Sequence, residues 1–110
     1  MPAEPSSLPV ARIWRGAVRA SDREEYLRYL EGTGIAEYRD TPGNRSVQVL
    51  MRDVDDRTEF LIVTLWDSRD AIVGFAGDDI ERAVFYPEDE RFLVERDETV
   101  SHHDVVAYGG

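Results

Sequence analysis

The sequence contains no cysteine and no lysine; all 13 cationic side chains are arginines, set against 23 Asp and Glu for a formal net charge of −10. Without cysteine there is no disulfide, no thiolate nucleophile and no cysteine-held zinc or iron–sulfur cluster. Without lysine there is no Schiff base to a carbonyl substrate or a pyridoxal cofactor. The acidic balance, with no basic cluster to offset it, repels phosphate and argues against a nucleic-acid partner. Long hydrophobic runs are missing too. The longest, Phe60 to Trp66, is far short of the roughly 20 residues that cross a bilayer, so no membrane partner is expected. Residues 1–8 lack both a basic n-region and an apolar h-region, read as a flexible tail rather than a signal peptide, and point to the cytoplasm. No phosphate-binding glycine loop, serine elbow or metal-binding histidine pair is present.

What is present is an ordinary globular composition: 110 residues, 42% hydrophobic and 33% charged. That length suits one domain, expected over residues 9–108. Val10 to Arg19 has period-2 character and reads as a strand, with Arg12, Trp14, Gly16 and Val18 on one face and Ile13, Arg15 and Ala17 on the other. Ser21 to Glu24 has capping-box form and opens a helix with Tyr26, Leu27 and Leu30 on its apolar face. Gly32 and Gly34 are expected to stop that helix, and Thr41 to Asn44 turns into a second, alternating strand.

Asp53 to Arg57 is a polar connection into a third strand, Thr58 to Trp66, that is apolar on both faces. Asp67 to Asp70 caps a second helix through Ala71, Ile72 and Phe75, which Gly77 interrupts. A short helix from Asp78 through Ile80, Ala83 and Val84, a helical turn near Pro87 to Phe92, and a last strand from about Glu98 to Ala107 complete the expectation.

The order β-α-β-β-α-β predicts an α+β, ferredoxin-like antiparallel sheet with both helices on one face. The other face would then be bare, although the third strand demands cover on both sides. A second copy of the same sheet is the simplest cover, so a homodimer is expected.

Arg12 to Gly16, Tyr38 to Asn44, Thr64 to Ser68 with Phe75, Glu81 to Glu88, and His102 to Val106 together resemble the antibiotic biosynthesis monooxygenase domains of the dimeric α/β-barrel superfamily, over about residues 10 to 107. The resemblance implies cofactor-free oxygenation of polycyclic phenols, quinol oxidation or haem degradation. Haem-degrading members place Asn on the first strand, Trp late in the second helix and an iron-ligating His ten residues further on. The matching positions here are Trp14, Phe75 and Phe85, and phenylalanine cannot ligate iron.

Cofactor-free oxygenation needs a base to make the aromatic substrate an electron donor, a cation or hydrogen bond for its oxyanion, and an apolar cage. His102 and His103 are adjacent on a strand and so face opposite ways. His102, sharing its face with Asp104, is the candidate base; the plainer reading is a partly buried histidine satisfied by its sheet neighbours. A His102/Asp104 metal pair lacks a third ligand. Arg12 is the candidate oxyanion partner, with a surface or interface ion pair as its plain alternative. Trp14, Tyr26, Trp66, Phe75, Phe85 and Tyr86 are candidates to bind a flat ligand; Trp66 and Phe75 are equally well read as core. The acidic run Glu88 to Glu90 reads as a solvated helix start.

The expectation is thus a cofactor-independent monooxygenase of a small aromatic or quinonoid, anthrone- or quinol-like substrate, with no cofactor. The alternative is a non-catalytic small-molecule binding protein on the same scaffold, with haem among the candidate ligands.

Overall fold

Ten antiparallel register pairs join β1 (Val10–Arg19) to β3 (Arg57–Trp66) in a computed structural model that describes residues 8–107. The expected tail, apart from Leu8, and the expected domain end at Tyr108 lie outside those residues. The remaining strands are β2 (Asn44–Val54), β4 (Leu93–Arg96) and β5 (Ser101–Asp104), and the helices are α1 (Arg23–Gly32), α2 (Gly34–Asp40), α3 (Arg69–Ala76) and α4 (Asp89–Phe92). The sheet order is β2-β3-β1-β4, with β5 also on β1. All pairings are antiparallel, which is the ferredoxin-like arrangement. No helix among the described residues is long and apolar enough to cross a membrane.

Register fixes the faces, because directly opposed residues point the same way. Val10, Arg12, Trp14 and Val18 of β1 share a face with Thr58, Phe60, Ile62, Thr64 and Trp66 of β3, and every one of these is buried. Tyr26 and Leu30 of α1, Ile35 and Tyr38 of α2, Ile72 and Phe75 of α3, and Phe92 of α4 complete that core. The other face carries Ala11 and Ile13 of β1, Leu61, Val63 and Leu65 of β3, all half-buried, and Leu50 of β2, 47% exposed.

Several local expectations are corrected. Ser21 does not form a capping box: Ala20–Asp22 is a 3-10 turn, and α1 starts without a side-chain cap. A capping residue needs an extended backbone, and Ser21 is already helical. α1 does end at Gly32, as expected, but a further helix that was not expected follows it. The chain breaks at Thr33 and resumes as α2, whose Ile35 and Tyr38, three apart, reach the core. Ser68 does cap α3, accepting the Ala71 amide at 3.2 Å.

No helix forms over residues 78–84. Gly77, with φ +83°, ends α3. The following backbone keeps one turn bond of its own, Arg82 N–H to Asp79 O at 3.2 Å, and bonds across to residues 98–100 through Ala83 N–H to Glu98 O at 2.9 Å and Val100 N–H to Glu81 O at 2.8 Å. The last strand, expected over about Glu98 to Ala107, forms as β5 beside the start of β1, and β4, which was not expected, runs beside the end of β1. In the turn before β2, Gly43 holds φ +90°, and a Cβ there would lie 2.5 Å from that of Ala71, so only glycine fits.

Candidate active site

Between the β1 side of the sheet and α1, α2 and the 84–89 segment lies a cavity of about 30 Å³, lined by Arg12, Trp14, Tyr26, Leu30, Gly34, Tyr38, Ile62, Val84, Phe85, Tyr86, Asp89 and Val100. As it stands it has room for about one or two waters. Five of its twelve lining residues are aromatic.

Of the residues singled out in the sequence, Arg12, Trp14, Tyr26, Phe85 and Tyr86 line this cavity. Trp14 donates its indole N–H to Asp97 O at 2.9 Å and meets Phe85 edge-on at 6.2 Å between ring centres. Trp66 and Phe75 stand one layer behind. Trp66 is fully buried, and Phe75 stacks on Tyr38 at 4.2 Å, so the pair backs the ring that faces the cavity.

Arg12 is 2% exposed. A cation at that depth ordinarily has a carboxylate beside it. Here the Nη2 donates to the Arg82 carbonyl at 3.0 Å, the guanidinium lies 5.5 Å from the centre of the Phe75 ring, and Tyr38 lies near enough to favour its charged form. Among the described residues every ion pair uses other arginines. The buried Arg12 Nε has no partner at all. Burial pushes its pKa down and Tyr38 opposes that; a guanidinium remains charged nonetheless.

His102 is the register partner of Arg12 across β5 and β1, and shares its face. It is half-buried, and its Nε2 has no hydrogen-bond partner. Burial and then the Arg12 charge push its pKa below the usual histidine value, which keeps the ring neutral. It stands beside Arg12 and outside the cavity lining. Asp104 does not orient it, because that carboxylate binds Arg69 at 3.0 Å. His103 faces the other way, toward Ser101.

Two polar lining residues, Tyr38 and Asp89, were not among the sequence candidates. Tyr38 lay in a segment assigned to no element. Asp89 lay in a run expected to be solvated, yet it is only 4% exposed. Its Oδ2 accepts the Tyr86 amide at 2.6 Å, and its Oδ1 lies 3.5 Å from the Tyr26 hydroxyl. The spacing Asp89 to Phe92, three apart on one helical turn with Phe92 in the core, was the available signal. Desolvation raises the Asp89 carboxyl above its ordinary value, and burial with the Asp89 charge raises the Tyr26 phenol far above its own. Tyr86 is held by a hydrogen bond from its hydroxyl to Glu37. No cluster of three or more metal-ligating side chains occurs among the described residues.

The family described as antibiotic biosynthesis monooxygenase matches residues 9–80 of the sequence. No curated protein matches it. Solved structures do. A Nitrosomonas europaea protein bearing the same family description superposes at a TM-score of 0.66 with 15% identity, covering 100% of both chains. The heme-degrading protein of Mycobacterium tuberculosis superposes at 0.63 with 22% identity, covering 94% of this chain and 98% of that one. A conserved protein from Methanosarcina mazei superposes at 0.65 with 14% identity, covering 91% and 95%. At these identities the likeness is one of fold.

Proposed function

The chain belongs to the antibiotic biosynthesis monooxygenase family, and from that premise we propose that it oxygenates a small aromatic or quinonoid molecule, anthrone- or quinol-like, without a cofactor. The observation that carries this reading is Arg12, a cation buried in the wall of an aromatic cavity with no carboxylate of its own. An enolate or phenolate oxygen formed in the cavity supplies the missing negative charge. In a dry site such a contact is worth about 3–4 kcal/mol of transition-state stabilisation.

Ground-state oxygen reacts with an organic molecule only when that molecule is a strong electron donor, and loss of a proton makes a phenol or anthrone one. Trp14, Tyr38, Phe85 and Tyr86 offer ring faces and edges to hold it flat and exclude water. His102 acts on this oxyanion site through Arg12, as a neutral neighbour that adds no competing charge.

A three-ring substrate is far larger than about 30 Å³, so a wall must yield to admit it. The segment between α3 and α4 carries Val84, Phe85 and Tyr86 and has no helix or strand of its own. Outward movement of Val84 to Tyr86 breaks the Tyr86–Glu37 contact and the Tyr86 amide bond to Asp89, while the Ala83–Glu98 bond holds the start of the segment; re-closure seals the ligand from water.

The residues do not supply the histidine ligand of the haem-degrading members. The lining holds no His, Cys or Met, the position matching the family's iron ligand is Phe85, and His102 stands outside the cavity.

We further read the working unit as a cytoplasmic homodimer. Ile13, Leu50, Leu61, Val63 and Leu65 form an apolar band on the sheet face that lacks helices, and a second copy of that face covers it in kind.

The test is anaerobic mixing with anthrone, then addition of oxygen, following absorbance and oxygen consumption. The expected result is uptake above the uncatalysed rate that is lost in Arg12→Met. Tight anthrone binding with no uptake would establish the non-catalytic binding protein instead.

A further inference from the structure

Asp89 is a buried carboxylate that the oxyanion site leaves unused. It lines the same cavity as Arg12, and no ion pair joins the two. Its nearest polar neighbours are the Tyr86 amide, the Tyr26 hydroxyl and, more distantly, the Arg96 charge. Among the described residues no arginine pairs with it, whereas neighbouring Glu88 binds Arg91 on the surface. A carboxylate offers about four acceptor directions, and the Tyr86 amide takes one in a short bond. The Tyr26 contact at 3.5 Å is too long to hold a second firmly. Acceptor capacity therefore remains at a cavity whose only other charged lining group is the Arg12 cation.

We propose that Asp89 is the general base of this site, taking the proton whose departure places negative charge on the oxygen facing Arg12. The inference rests on the oxygenase reading for its substrate class and adds the group that starts the chemistry. In the step, an Asp89 carboxylate oxygen forms a bond to hydrogen as the C10–H bond of an anthrone, or the O–H bond of a hydroquinone, breaks. The electron pair passes into the ring system and appears as an oxyanion, leaving Asp89 a neutral carboxylic acid.

Three features suit Asp89 better than His102. It lines the cavity and His102 does not. Its short bond from the Tyr86 amide ties it to the segment that closes over the ligand, so closure brings the base to its proton. And desolvation, the main influence on it, makes a carboxylate a stronger proton acceptor.

Proton removal needs no oxygen, so it can be read separately from oxygenation. Anthrone in D2O under anaerobic conditions exchanges its C10 hydrogens for deuterium, followed by NMR. The wild type should accelerate exchange above buffer, and Asp89→Asn should lower that by about 100-fold or more. The Asn side-chain oxygen still accepts the Tyr86 amide, so the fold and the anthrone affinity, read by tryptophan quenching, should be kept. Asp89→Glu, which keeps a carboxylate, should recover part of the exchange.

Wild-type exchange retained in Asp89→Asn, or lost in His102→Gln while kept in Asp89→Asn, overturns the assignment. Exchange that depends on Asp89 with no oxygen uptake upholds the base and sinks the oxygenase. Uptake without exchange does the reverse.

Discussion

Trp14 lies over Gly16 on the core face of β1, so close that a Cβ at position 16 would stand 2.3 Å from the indole Cη2 and 2.8 Å from Cζ2. Gly16 is therefore the floor on which the cavity's indole rests. Gly16→Ala forces the ring off that floor and toward Phe85. Overpacking of this kind costs about 1–3 kcal/mol. The expected outcome is a lower melting temperature together with a shifted tryptophan emission and weaker anthrone binding; unchanged emission would mean that the ring does not depend on Gly16.

Arg12 is expected to contribute to function at little gain in stability. Replacing a buried, unpaired cation with an apolar side chain of similar length is commonly neutral or stabilising. Arg12→Met should leave the denaturation midpoint within about 1 kcal/mol of wild type or raise it, while oxygen uptake with anthrone falls by about 10²–10³. A large stability loss with uptake preserved would make Arg12 a structural residue.

Asp89→Asn should stabilise the fold at neutral pH. Desolvation raises the folded-state pKa of Asp89, so its favourable contribution exists below the unfolded value near 3.9 and is lost as pH rises through the folded value. At neutral pH the native state carries an ill-solvated charge that Asn removes. A melting temperature higher by about 2–5 °C is expected near pH 7, with the gap closing in acid. Calorimetry across pH reads this directly, and a gap that widens in acid would contradict it.

For His102 the sign is opposite in acid. Its folded pKa is lowered, by burial first and Arg12 second, so the neutral ring stabilises the native state above the unfolded value of about 6.5. That stability fades as pH falls through the folded value. Glu81, Arg69 and His103 also act on the ring, Glu81 in the opposing sense. His102→Gln should flatten the decline of melting temperature between about pH 7 and pH 5; a slope equal to wild type would show that His102 ionises equally in both states.

The open face of the sheet is expected to be an interface. Val63→Asp puts a charge at the middle of β3, between Ile13 and Gln48 in register. Sedimentation should give a dimer for the wild type and a monomer for the variant, with cooperative folding retained. A monomeric wild type would remove the dimer from the proposal.

How far the site could be read in advance varied with the range of the interactions involved. The alternation of β1 put Arg12 and Trp14 on one face, and the structure keeps them together on the core side. The double apolar character of β3 called for cover on both faces; one face, Phe60, Ile62 and Trp66, is buried in the core, while Leu61, Val63 and Leu65 opposite are half-buried. Those patterns are local, period-2 signals that a strand cannot hide. The segment from Gly77 to Asp104 was less legible. Its backbone is satisfied by bonds to partners some 15 residues away, such as Ala83 to Glu98 and Val100 to Glu81, and helical spacing in residues 78–84 cannot reveal that competition.

By itself the sequence determined which chemistry is open to this protein: no thiol, no lysine amine, two histidines and many arginines and carboxylates, on a β-α-β-β-α-β frame. Tertiary structure alone decided which of these groups meet. Glu88, Asp89 and Glu90 are alike as sequence, yet only Asp89 turns inward, because Phe92 anchors its helical turn in the core. Thirteen arginines carry the same charge, and the register of β1 between β3 and β5 leaves Arg12 buried without a carboxylate. Burial and pairing here depend on contacts between residues far apart in sequence, 70 positions for Arg12 with Arg82 and 63 for Tyr26 with Asp89, and those contacts are set by the sheet rather than by adjacent residues.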